Sequence, residues 1–135
     1  MPDESTVEAV SQSYGRCCSQ EGFFRDFYDE FMSRDPSIRA MFKNTDMANQ
    51  RQLLRGGILL LILHARGMSD SKLHALGKSH SHARMNIEPW MYGVWVDSLL
   101  SSVRRFDPRW QEEMADQWQA VLEKGLSIMQ SHFDD

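Results

Sequence analysis

The chain has 135 residues, 41% hydrophobic and 25% charged, with a formal net charge of −4 at pH 7; residues 1–135 read as one domain, able to fold without a disulfide or structural metal. The longest unbroken apolar run, Ile58 to Leu63, is far short of the ~20 residues of a membrane span, and dispersed Lys and Arg in an acidic chain leave no nucleic-acid footprint. The acidic, polar start Met1-Pro2-Asp3-Glu4-Ser5-Thr6 is unlike a secretory signal, and the adjacent Cys17 and Cys18 suit a reducing, cytoplasmic setting as an inert pair.

Apolar residues recur three and four apart along almost the whole chain, the period of a helix, and no stretch alternates as a strand does. Ser5 followed by Glu8 reads as a capping box opening a first helix that ends near Cys18. A second helix covers Glu21 to Arg34. Asp35-Pro36 is a cap followed by proline, starting a short helix to Phe42. Asn44-Thr45-Asp46 caps a long helix through Ala65, stopped by Gly67, and Ser69-Asp70-Ser71 opens another through Ala83. Pro89 starts a helix to Phe106, and Asp107-Pro108 repeats the cap-plus-proline signature for a last helix to His132. The expectation is an all-α fold of seven helices.

On the second helix Phe23, Phe24, Phe27, Tyr28 and Phe31 share one stripe, so Tyr28 points inward with the phenylalanines. A buried phenol needs a partner, either a backbone carbonyl or a polar side chain. Gln50, Leu54, Gly57, Ile58 and Leu61 lie along one side of the long helix, which makes Gln50 such a partner or a surface residue near a helix start. Gly56-Gly57 inside that helix costs roughly 1 kcal/mol per glycine relative to alanine, which close approach by another helix would offset. Among the histidines, periodicity turns only His80 of His74, His80 and His82 toward the core, behind Leu73, Leu76 and Gly77. It is either a hydrogen-bonded core histidine or a metal ligand. No carboxylate or thiol nearby completes a zinc set, whereas haem iron needs one protein ligand on one side.

Taken in order, these segments resemble the bacterial single-domain globins, haemoglobin-like proteins related to globin sensor domains. Tyr28, then Pro36 eight residues later, then Phe42 six after that, has the spacing of their second and third helices. Asn44-Thr45-Asp46-Met47 with Gln50 and Leu53-Leu54 is similar to the start of the distal helix. Leu76-Gly77-Lys78-Ser79-His80 resembles the end of the proximal helix, and Ile87-Glu88-Pro89 with Tyr92 to Leu100 the start of the next. The resemblance covers residues 11–129. It departs in the nine residues from His80 to Pro89, since the shorter connection of many globins would select His82 as the alternative ligand.

The resemblance implies a globin fold, a three-over-three helical sandwich around a haem pocket. It implies haem b (iron protoporphyrin IX) ligated by His80 and covered by Phe42, Leu54, Ile58, Leu76, Ile87 and Trp95. The second ring N–H of His80 is expected to bond a backbone carbonyl or hydroxyl, Leu76 being the candidate. Tyr28 and Gln50 are the distal hydrogen-bond donors to a diatomic gas: O2 foremost, then CO or NO. Arg84 and His82 are candidate partners of the haem propionates, and Met47 and Met85 minor candidates for a sixth ligand. The implied function is reversible gas binding in oxygen transport or gas sensing, with no enzymatic turnover. A haem redox enzyme, acting on nitric oxide or peroxide with a separate reductase, is the alternative, and a haem-free interaction domain a third. A homodimer through the last two helices is also implied.

Overall fold

The computed structural model describes residues 2–135, and among them there are seven helices and no strand: α1 (Glu4–Cys18), α2 (Phe23–Ser33), α3 (Pro36–Met41), α4 (Met47–Ala65), α5 (Ser71–Ser79), α6 (Pro89–Phe106) and α7 (Glu113–Gln130). No helix is long and apolar enough to cross a membrane among those residues.

Most boundaries follow local chemistry. Asp35 accepts from the Ser37 N–H with Pro36 at the first helical position, and Asp46 accepts from the Asn49 N–H to open α4. Gly67, at φ +105°, turns the chain out of α4 through a left-handed conformation that side chains avoid.

Three boundaries depart from the sequence reading. The cap of α1 is Asp3, whose carboxylate accepts from the Thr6 N–H at 2.8 Å and from the Ser5 hydroxyl at 2.9 Å. Glu8 does not reach back to the helix start; it binds Arg66 and Gln12 instead. The last helix begins at Glu113, not behind Asp107-Pro108, because Asp107 is drawn inward. Its carboxylate accepts from Ser13, both Arg16 nitrogens and the Arg109 N–H, at 2.6 to 2.9 Å. Finally, α5 stops at Ser79, leaving His80 as its C-cap.

The core is built by α2 against α6, by α1, α4 and α5 against α7, and by α2 against α3. Trp118, Phe23, Phe27, Ile38, Ile58 and Leu122 are among its fully covered side chains. Close approach is made at glycines other than the expected pair. A Cβ on Gly77 would lie 2.8 Å from the Met129 carbonyl oxygen, and one on Gly125 2.5 Å from Leu61 Cδ2. Around Gly56 and Gly57 a Cβ would meet nothing within 4 Å, so no helix packs there. Helices α4 and α5 touch each other only slightly; both lean on α7.

Candidate functional site

The aromatic stripe of α2 is buried, with Phe27 at 0% and Tyr28 at 4% exposure. Burial raises the Tyr28 phenol to a pKa of about 12, with the Gln50 bond pulling the other way. The partner of its hydroxyl is the side chain of Gln50, whose Nε2 donates to Tyr28 Oη at 3.1 Å. An amide N–H filling one lone pair of the phenol oxygen directs the phenol's own proton elsewhere. The Tyr28 ring meets Phe42 edge-on at 5.4 Å between centroids, and Phe27 meets Trp95 at 5.8 Å. Tyr28, Gln50, Phe42 and Trp95, drawn from four segments, therefore gather around the middle of α2 at Phe27 and Tyr28.

His80 is half-buried just past the end of α5, and burial lowers its pKa below the ordinary imidazole value, favouring the neutral ring. Its Nδ1 lies 3.4 Å from the hydroxyl of Tyr92 on α6. The carbonyl of Leu76, the expected partner, instead receives the His80 backbone N–H and the Ser79 hydroxyl. Sequence reasoning missed Tyr92, although the argument used for Tyr28 applied to it: a tyrosine on an apolar helix face must find a partner. Burial raises the Tyr92 phenol to about 12, so it is a neutral O–H facing a neutral ring.

The long connection between His80 and Pro89 is taken up by a folded-back turn. Ser81, 2% exposed, accepts through its carbonyl from the Arg84 and Asn86 N–H groups, and Asn86 adopts φ 54°. The Ile87 N–H then returns to the His80 carbonyl at 2.9 Å, setting Ile87 beside His80. His82 is exposed: its Nδ1 pairs with Asn86 Oδ1 at 2.8 Å and its ring faces Phe133. Arg84 and Met85 are exposed as well, while Met47 is half-buried.

Helix α6 ties the two groups of residues together, sending Tyr92 toward His80 and, one turn on, Trp95 toward Phe27. The expected wall residues fall into two sets. Leu54 and Ile58 are buried, whereas Phe42, Leu76, Ile87 and Trp95 are only partly covered by the core they pack against. Gly57, half-buried on the Gln50 side of α4, borders open space. No group of three or more metal-binding side chains occurs among the described residues.

No protein-family model and no curated protein matches the chain. A solved structure does: a crystal structure from Pseudomonas aeruginosa PAO1, of a protein described as structurally highly homologous to a human hemoglobin. The two share 47% sequence identity over 96% of this chain and 99% of that one, at a TM-score of 0.94. With that identity over nearly the full length of both, and an all-helical fold, the chain belongs to the bacterial single-domain globins.

Proposed function

We propose that the chain binds haem b and uses its iron to hold a diatomic gas reversibly, O2 foremost. The Tyr28–Gln50 pair carries this reading: a buried phenol and a half-buried amide from different helices, hydrogen-bonded beside aromatic rings. The residues present fit the cofactor. His80 has Nδ1 beside a hydroxyl, which leaves Nε2 for a metal. Phe42, Leu76, Ile87 and Trp95 retain apolar surface that a flat macrocycle would cover, at roughly 25 cal/mol per Å2. Leu54 adds to that wall, and Ile58, fully covered, backs it. The likeness of the Pseudomonas protein to a human hemoglobin supports the same reading.

When bound, haem supplies one iron coordination position open to small gases; the remaining work falls to side chains. His80 would hold the iron, with the Tyr92 hydroxyl orienting the imidazole through Nδ1. Tyr28 donates a hydrogen bond to a bound gas that carries partial negative charge. Gln50, whose amide carries a second N–H, is a further donor to the gas. It also positions the phenol by supplying the N–H that its oxygen accepts, so that the phenol proton faces the cleft. Such a bond contributes about 1–1.5 kcal/mol in a dry pocket, and it favours O2 over the less polar CO. Absorption spectra of the purified protein, oxidised, reduced and with CO, test the proposal. A Soret band that shifts with each state is expected; a colourless preparation that does not take up added hemin rejects it.

A further inference from the structure

A recess of about 390 Å3 opens between the α1–α2 corner and α4, lined by Arg25, Arg51, Arg55, Gln20, Gln52 and Glu21 among others. Outside the recess Arg16, Arg34, Arg66, Arg104 and Arg105 are ion-paired to carboxylates, while Arg39, Arg84 and Arg109 stand apart from one another in the sequence without an ion pair among the described residues. The three in the recess have no ion pair among the described residues, although the chain as a whole has net charge −4. Three guanidinium groups against the single carboxylate of Glu21 leave the recess locally basic. One of them is held in place: the Arg55 guanidinium lies 5.6 Å from the centre of the Phe24 ring, and the Arg55 carbonyl accepts from the Tyr14 hydroxyl at 2.8 Å. Mutual repulsion among unpaired cations in one depression is relieved by an anion, and a guanidinium fork matches the paired oxygens of a phosphate.

We propose that this recess binds a free phosphate-bearing small molecule. Arg51 and Arg55 take phosphate oxygens from the α4 side and Arg25 from the α2 side. The volume is in the range of small-molecule sites, roughly 300–1,000 Å3, and exceeds the needs of a single orthophosphate. The ligand class is therefore a diphosphate, a triphosphate or a sugar phosphate, with the Gln20 and Gln52 amides available to its neutral groups. The location gives binding a consequence. Arg25 stands three residues before Tyr28 on α2, and Arg51 directly follows Gln50 on α4. An anion bridging them clamps the two helices that hold the Tyr28–Gln50 bond and so slows release of a gas. This second step rests on the proposed gas-binding function; the anion site itself does not.

Calorimetric titration of the full chain with inorganic pyrophosphate at fixed ionic strength tests the site without reference to haem. Saturable binding is expected, weakened at least tenfold by combining R51Q with R55Q and unchanged by R39Q, a substitution outside the recess. Circular dichroism checks that the variants remain folded, and R25Q, expected to weaken binding at least threefold, serves if the double variant does not. Heat that never saturates, equal affinity in the variants, or equal binding of sulfate would overturn the proposal. So would capture by anionic phospholipid vesicles with no response to free pyrophosphate. With haem-loaded protein, pyrophosphate is expected to slow O2 dissociation at least twofold. An intact isotherm with unaltered gas release would overturn the coupling and leave the site standing.

Discussion

Gln50 donates and Tyr28 accepts, at 3.1 Å, across the space between α4 and α2. The direction matters, because a phenol oxygen already receiving an N–H has its own proton to give. Replacing Tyr28 with phenylalanine removes that donor while keeping the ring against Phe42. Stopped-flow measurements are expected to show O2 dissociating about tenfold faster, equivalent to about 1.4 kcal/mol, with CO dissociation nearly unchanged. Equal acceleration of both gases would assign Tyr28 a steric role. Gln50→Ala should give a smaller effect of the same sign, about threefold, by leaving the phenol proton unaimed.

The histidines at 80 and 82 separate by surroundings. His80 is half-buried beside Tyr92, and His82 is exposed beside Asn86. His80→Ala is expected to abolish haem retention, measured as Soret absorbance per polypeptide, whereas His82→Ala keeps it near the native level. The reverse result would move the haem-holding histidine by two positions.

Asp107 supports the fold and lies apart from the Tyr28–Gln50 pair. Burial acts to raise its pKa, but the Arg16 ion pair, the Ser13 hydroxyl and the Arg109 N–H outweigh it and hold the carboxyl below its ordinary value. A carboxylate whose folded pKa is depressed contributes stability that is present above its unfolded pKa, near 3.9, and lost as pH falls through the folded value. Asp107→Ala is expected to cost about 3 kcal/mol at neutral pH in urea unfolding, since it leaves Arg16 and Ser13 without their acceptor. The penalty should shrink below pH ~4, and a pH-independent penalty would contradict the ion-pair account.

The glycines give opposite expectations. Gly77→Ala presses a methyl against the Met129 backbone and should destabilise by about 2 kcal/mol. Gly125→Ala meets the ends of the Leu61 and Leu73 side chains rather than a backbone, and should cost less. Gly56→Ala adds helix propensity in open space and should stabilise by about 0.5–1 kcal/mol. Thermal midpoints of the three variants check the order.

What the sequence discloses divides along a physical line. Caps that act within a few residues, such as Asp35 with Pro36 or Asp46 ahead of α4, are legible because both partners are neighbours. Asp107 misleads because its partners, Ser13 and Arg16, lie some ninety residues away and outcompete a local helix start. The same holds for the glycines: periodicity marks where a helix face is, but not which face another backbone reaches. Tyr28 with Gln50 was readable from two amphipathic stripes. The Tyr92–His80 contact depends on the turn at Ser81 to Asn86, which no helical period encodes.

That α4 and α5 scarcely meet has a further meaning. They carry Gln50 and lead into His80, yet each is seated on α7, one where Leu61 crosses Gly125 and the other where Gly77 crosses Met129. The spacing of the two helices is gauged from behind, by a third helix that supplies neither Gln50 nor His80. Substitutions on the rear of the molecule should therefore retune the front, like turning the screw on a calliper.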